Sequence, residues 1–241
     1  PRELSSSLNK TLLEFMQIPK QVKKIINKLK KAGLDAFLVG GCVRDLIRAV
    51  EPEDWDVATN ARPEEIQKIF PKSFCENKFG TVTVSKIEIT PFRTEEKYTD
   101  KRHPDKIEWA KTIEEDLARR DFTINAIALG IEGTEFLNKK ELGSFKIIDP
   151  FGGQEDLKKK IIRAVGRPED RFSEDALRML RAVRFAVVLG FDIEQKTAKA
   201  IEENSPWLQA ISKERIRDEL LKIIMAKKAA DGIELLRELK L

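Results

Sequence analysis

Apolar residues recur every three to four positions between 19 and 32, where Val22, Ile25, Ile26 and Leu29 share one face among lysines and predict an amphipathic helix. Gly33 is placed to end it. The pattern then changes to a continuous apolar run, Ala36-Phe37-Leu38-Val39, which predicts a short buried strand entering Gly40-Gly41. Val43 to Ile47 begins another helix, Trp55 to Thr59 reads as a strand, and 63–70 reads as a helix with Pro63 in its first turn. Residues 80–93 alternate like two strands about a turn at Ser85-Lys86. From 94 to 116 the sequence is polar apart from a brief apolar interruption at 107–110, which predicts a mobile functional loop. Apolar periodicity resumes over 121–129, and Phe145 to Ile148 predicts a strand stopped by Asp149-Pro150-Phe151-Gly152-Gly153. Beyond Gly153 the pattern predicts helices alone, over 155–165, 173–189, 194–204 and 212–239, the last broken near Lys227 or Gly232. The expected fold class is α+β: a mixed α/β part over 1–150 followed by an all-helical part over 151–241.

Composition narrows the partners. The 241 residues are 41% hydrophobic and 36% charged, and the 45 basic and 41 acidic residues leave a net charge of only +4. That balance permits a nucleic-acid partner without demanding one, so the arrangement of charge has to decide. Cys42 and Cys75 are too few for a disulfide framework and lack zinc-ligand spacing, which points to a reducing cytoplasm. No apolar run approaches ~18 residues, so no membrane span is expected. The N-terminal residues lack an apolar signal core, so secretion is not expected.

Three constellations carry chemistry. The first is Gly40, Gly41, Arg44, Asp54 and Asp56. Two carboxylates one residue apart project from one face if the backbone is a strand, and they repel unless a cation lies between them. Magnesium takes hard oxygen ligands of this kind. The glycine pair brings backbone N–H groups close to an anion, and Arg44 adds charge. A metal seat beside a phosphate cradle points to nucleotidyl transfer; a plain turn and a surface acid pair are the bland alternatives. Glu88 is a candidate third carboxylate on an adjacent strand, or else a solvent-facing strand residue.

The second constellation is Arg119-Arg120-Asp121-Phe122-Thr123-Ile124-Asn125. Its cations suit a phosphate and Asp121 suits a ribose hydroxyl; alternatively Asp121 caps a helix, with Thr123 in the first turn and the arginines solvated. The third is Asp175, Arg178, Arg181 and Arg184, at every third residue and so on one slanting ridge of a helix. An Asp with a neighbouring Arg reads a base edge: the carboxylate accepts from an exocyclic amine and the guanidinium donates to a ring nitrogen. Cytosine and adenine share that polarity, while uracil and guanine reverse it. The competing reading is a salt bridge three residues apart on an exposed helix.

In this order the three constellations, with Asp149-Pro150-Phe151-Gly152-Gly153 between the second and third, resemble the class II tRNA nucleotidyltransferases, or CCA-adding enzymes, and their poly(A) polymerase relatives. The match runs from about Lys20 to Lys227. The resemblance implies a polymerase β-type nucleotidyltransferase head with a mixed β-sheet over 1–150 and a helical, nucleotide-selecting, RNA-binding neck over 151–241. It implies that Asp54 and Asp56 are catalytic and hold Mg²⁺, and that Gly40, Gly41 and Arg44 contact the nucleotide phosphates. Arg120 would contact the incoming nucleotide, and Asp121 and Asn125 would sense its ribose. Asp175 and Arg178 would act as the protein template, with Arg181 and Arg184 also on the nucleotide. The partners implied are the tRNA 3′ end with ATP and CTP as substrates, and no membrane. Residues 98–116 match the family's flexible loop, which is not shortened here as in CC-only enzymes. Family members continue with helical body and tail domains that these residues do not include, and Trp55 stands where an aliphatic residue is commoner. An A-only enzyme and an RNA-binding fragment with little turnover stay open as alternatives. The sequence does not fix the oligomeric state.

Overall fold

The computed structural model describes residues 18–75, 80–96, 106–131 and 145–241, and the protein divides into two compact units. The first takes in Pro1–Thr94, Trp109–Leu117 and Ile127–Pro150; the second takes in Glu95–Glu108, Ala118–Ala126 and Phe151–Leu241.

In chain order the described elements are first helix α1 (Lys20–Lys31), strand β1 (Ala36–Val39), helix α2 (Gly41–Ile47), strand β2 (Asp56–Thr59) and helix α3 (Pro63–Ile69). Strands β3 (Phe74–Cys75), β4 (Val82–Val84), β5 (Ile87–Pro91), β6 (Arg93–Glu96) and β7 (Lys106–Trp109) follow, then helix α4 (Ile113–Ala118). A 3-10 turn at Thr123–Asn125 leads into β8 (Ala128–Ile131) and β9 (Phe145–Ile148). Seven of these strands build a mixed sheet in the order β3-β4-β5-β2-β1-β8-β9, with β2 parallel to β5 and the other neighbours antiparallel.

β1 lies between β2 and β8 and is covered on both faces, Ala36 and Leu38 being buried on one and Val39 on the other, which is why its sequence is continuously apolar rather than alternating. The apolar stripe of α1 buries Val22, Ile25, Ile26 and Leu29 and packs toward β1. Each such side chain contributes roughly 1.5–3 kcal/mol when fully buried. Lysines 28, 30 and 31 occupy the last turn of α1, where the helix dipole favours cations. The β4–β5 hairpin turns at Ser85 and Lys86, whose φ values of 51° and 70° give the left-handed pair that matches strand twist.

The second unit continues with α5 (Gly153–Lys159), β10 (Ile161–Ile162), α6 (Pro168–Glu174), α7 (Leu177–Leu189), β11 (Asp192–Ile193) and α8 (Gln195–Asn204). A 3-10 turn (Ser205–Ala210), α9 (Lys213–Ile224) and α10 (Ala229–Glu238) complete it. Helix α7 is central: Met179, Leu180, Ala182 and Val183 are all buried, and both α9 and α10 pack on it.

Several sequence expectations are corrected here. The helix expected over 155–165 stops at Lys160, whose φ of 57° is left-handed, and Ile161–Ile162 then pairs in parallel with Asp192–Ile193. Strands therefore persist beyond Gly153 as a short two-stranded ladder. The helix expected over 173–189 is two helices broken at Asp175, which is extended at φ −146° and accepts a hydrogen bond from the Leu177 amide (3.1 Å). Asp competes for backbone donors in this way and so favours helix ends over interiors. The break expected near Lys227 or Gly232, by contrast, is found at the first of these positions, between Ile224 and Ala229. The loop expected over 94–116 contains most of β6, all of β7 and most of α4, while 97–105 lie outside the described residues. No helix among the described residues is long and apolar enough to cross a membrane.

Candidate active site

In the first unit the site residues gather where β1 and β2 meet. β1 runs into Gly40, whose backbone (φ 73°, ψ −136°) lies in a region essentially reserved for glycine, and α2 starts at the next residue. Gly41 is under no such demand: a Cβ there would meet nothing closer than Arg44 Nη2 at 3.6 Å. β2 pairs with β1 through Leu38↔Val57, which brings the start of β2 beside the Gly-Gly turn. The buried Cys42 thiol lies 3.1 Å from the Val39 carbonyl and 3.8 Å from the Asp56 carbonyl, linking the turn to both strands.

Asp56 is the first residue of β2 and half-buried, whereas Asp54 is exposed on a bend before the strand. The strand expected over 55–59 starts at Asp56, so the condition for a shared strand face is not met at Asp54. The pair straddles a strand entry, which leaves Asp54 accessible to solvent. Glu88 on β5 is the Cα partner of Asp56 and is exposed. Among the described residues no three His, Cys, Asp or Glu side chains form a group that could hold a metal ion. An exposed and a half-buried carboxylate still fit magnesium, which keeps several waters and takes one or two protein carboxylates plus substrate phosphates. Arg44 forks onto Asp45, with Nε–Oδ1 at 2.9 Å and Nη2–Oδ2 at 2.7 Å, and Arg48 also reaches Asp45 at 3.1 Å. Asp45 thus fixes the arginine beside the glycine turn, a role its adjacency to Arg44 did not advertise.

In the second unit, Asp121 is buried at 8% exposure, so its carboxylate needs partners. Arg181 donates to Oδ2 from Nε at 2.9 Å and Nη2 at 2.6 Å, while the Phe122 amide (2.8 Å) and Asn125 Nδ2 (3.3 Å) donate to Oδ1. Burial pushes the Asp121 pKa up, but Arg181, then Arg178 and the Phe122 amide outweigh it and hold the group at about 2. The alternative of a helix cap at Asp121 with solvated arginines is not found. Phe122 precedes the 3-10 turn, the Thr123 hydroxyl donates to the buried Asp156, and Arg119 and Arg120 are half-buried. Arg120 Nη1 lies 3.5 Å from the Asn125 carbonyl. The segment is braced by Thr123 N donating to Arg163 O (2.9 Å) and Val165 N donating to Asp121 O (3.0 Å).

The expected four-residue ridge is also revised. Arg178, Arg181 and Arg184 lie on α7, but Asp175 precedes it, and Asp175 does not bridge to Arg178. Arg215 of α9 forks onto Asp175, with Nη1–Oδ1 at 3.2 Å and Nη2–Oδ2 at 2.8 Å. Arg178 pairs with Glu174 (2.5 Å) and donates to the carbonyls of Arg171 (3.3 Å) and Arg119 (3.1 Å). Arg171 binds the same Glu174. Arg184 pairs with the buried Glu219 (2.6 Å) and lies over the Phe185 ring, 4.0 Å from its centroid. Burial would raise the Glu219 pKa, but Arg184, Lys222 and Arg181 keep it below its ordinary value.

The structure thus joins Asp121, Asn125 and Arg181 in one network and holds Asp175, Arg178 and Arg184 with separate partners. Glu174, Arg215 and Glu219 were missed. Glu174 was legible, four residues before Arg178 in the favourable order. Arg215 and Glu219 share a face of α9 by their four-residue spacing, but nothing local links them to residues 40 and 35 positions earlier.

The poly A polymerase head domain family matches residues 36–163, and a second family, "Probable RNA and SrmB- binding site of polymerase A", matches 190–241. The CCA-adding enzyme of Lactobacillus delbrueckii subsp. bulgaricus is 46% identical over 222 residues, covering 90% of this chain and 53% of that protein. The Bacillus stearothermophilus CCA-adding enzyme in complex with CTP is 43% identical with a TM-score of 0.78, covering 92% of this chain and 53% of that one. The Thermotoga maritima CCA-adding enzyme complexed with tRNA is 27% identical with a TM-score of 0.73, covering 96% of this chain and 54% of that one. The chain spans about half the length of the curated relatives it matches.

Proposed function

The chain belongs to the poly(A) polymerase head-domain family, and from that premise we propose that it is a template-independent nucleotidyltransferase adding C and A to the tRNA 3′ end from CTP and ATP. The observation that carries this reading is the Asp54 and Asp56 pair at the entry to β2, beside the Gly40 turn, in a protein 46% identical to a CCA-adding enzyme.

Asp54 and Asp56 would hold Mg²⁺, which when bound supplies activation of the attacking 3′-hydroxyl and neutralisation of the leaving pyrophosphate. Arg44, fixed by Asp45, adds a positive charge beside the backbone amides that follow Gly40, where the triphosphate would be bound. In the second unit Asp121 and Asn125 would orient the ribose and Arg120 the incoming nucleotide. Asp175 and Arg178 would read the base, with Arg181 and Arg184 close to the nucleotide. Residues 1–150 would carry the chemistry and 151–241 nucleotide selection and RNA binding, joined in selection by the Arg119–Asn125 motif.

Extension of tRNA ending before CCA, after C and after CC tests this, with each of the four nucleoside triphosphates and sequencing of the 3′ ends. Addition of CC followed by one A is expected. Extension of tRNA-CC alone would make this an A-adding enzyme, long A tails would make it a poly(A) polymerase, and no incorporation by folded protein would overturn the enzymatic reading.

A further inference from the structure

Helix α1 carries Lys20, Lys23, Lys24, Lys28, Lys30 and Lys31 and no acidic residue. Four of these, Lys20, Lys24, Lys28 and Lys31, are exposed, and their spacing of four, four and three residues lines them along one face of the helix. We propose that this lysine stripe is a docking surface for the phosphate backbone of RNA. The proposal rests on tRNA being the substrate, and it adds a grip outside the residues assigned to the chemistry.

The stripe works against the helix that bears it. Like charges one turn apart repel, and Lys20 stands in the first turn, where the helix dipole favours acids. Lysines on three other helices are offset by acids: Lys159 pairs with Glu155 in α5 (3.3 Å), Lys199 with Glu203 in α8 (3.7 Å) and Lys222 with Glu219 in α9 (3.0 Å). Among the described residues no acid pairs with Lys20, Lys24, Lys28 or Lys31. Lys28 Nζ instead lies 5.4 Å from the centroid of the Phe70 ring. Gln21 Nε2 donates to the Ser85 carbonyl (3.3 Å), which brings the exposed Lys86 of the β4–β5 turn near the first turn of α1.

The geometry favours RNA as the partner. Neighbouring lysines of the stripe rise by about 5–6 Å along the helix axis and the whole stripe by about 16 Å, so the cations form a row rather than a cluster. A row of compact ammonium groups suits a strand of phosphates, and such contacts hold a nucleic acid without reading its sequence. A basic amphipathic helix binds a membrane by inserting its apolar face. Here that face is closed: Val22, Ile25, Ile26 and Leu29 are at most 3% exposed, and α1 packs on β1. The chain runs from α1 through β1 to the Gly40 turn, so RNA on the stripe is held by the unit that carries Asp54 and Asp56.

The test is equilibrium binding of a tRNA lacking CCA to the 241-residue protein, without nucleotides, over a series of salt concentrations. Wild type is compared with a variant combining Lys20→Gln, Lys24→Gln, Lys28→Gln and Lys31→Gln, and with one combining Lys20→Arg, Lys24→Arg, Lys28→Arg and Lys31→Arg, alongside thermal melting. The glutamine variant is expected to bind on the order of tenfold or more weaker at ~0.1 M salt. Its slope of log affinity against log salt is expected to be shallower by about three, since each phosphate contact contributes roughly 0.7–0.9. Its melting temperature should hold or rise, because like charges have been removed. The arginine variant keeps the charge and is expected to restore both affinity and slope. If wild type binds tRNA and the glutamine variant matches it, the inference alone is overturned. Weaker binding with the wild-type slope would overturn it too, because no counterions would then be released at the stripe. Equal tRNA binding by both, with only wild type binding phosphatidylserine vesicles, would make the stripe a membrane contact and count against RNA. Wild type that does not bind tRNA would overturn the tRNA-substrate reading and the inference with it.

Discussion

Asp121 shows how a buried carboxylate is held in its charged form. It is held at a pKa of about 2, against an ordinary 3.8, because Arg181 and Arg178 overcome the burial penalty. A pKa depressed on folding contributes stability that is complete above the unfolded value and is lost as pH falls through the folded one. The contribution, about 2 kcal/mol by linkage, is therefore present above pH ~4 and disappears toward pH ~2. Asp121→Asn is expected to lower stability at neutral pH by a similar amount and to flatten the acid dependence between those limits, as urea unfolding at a series of pH values would report. An unchanged acid limb would mean that the Asp121–Arg181 pair is not the group titrating there.

At the scale of elements, the sequence disclosed most where one physical rule dominated. The continuous apolar run of β1, the glycine pair at the Gly40 turn, and the lysine-backed stripe of α1 are all legible in the sequence. The break at Asp175 was not, because helical spacing runs unbroken through 173–189 and the deciding interactions are a local cap and a distant arginine. Lys160 likewise ends α5 in a left-handed conformation that composition does not signal. The same limit applies to α9, whose Arg215 and Glu219 look like ordinary helix-surface charges until α7 and the residue before it are placed against them. Gly232 is the clearest packing constraint among these helices. A Cβ there would lie 2.6 Å from Ile223 Cγ2 and 3.0 Å from Val187 Cγ2, both on branched side chains with little room to withdraw. Gly232→Ala is therefore expected to destabilise the protein by about 1–2 kcal/mol, the overpacking cost exceeding the gain in helix propensity. Chemical denaturation checks this, and a stabilised variant would show that α10 can shift away from α7 and α9.

For the whole molecule, charge is nearly balanced at +4 and does not by itself call for RNA. The proposed nucleotidyltransferase reading rests instead on a proposed division of tasks between the two units: the Asp54 and Asp56 carboxylates in the first, and in the second an arginine-rich network in which Asp121, Asp175 and Glu219 each pair with a guanidinium. This division is tested most directly by comparing 3′-end extension of tRNA lacking CCA by wild type, Asp54→Ala and Asp175→Ala, with all four nucleotides competing. Asp54→Ala is expected to lose all addition while keeping the wild-type melting temperature, and Asp175→Ala to go on adding nucleotides with C and A no longer preferred over U and G. Sustained turnover by Asp54→Ala, or an intact C and A preference in Asp175→Ala, would contradict it.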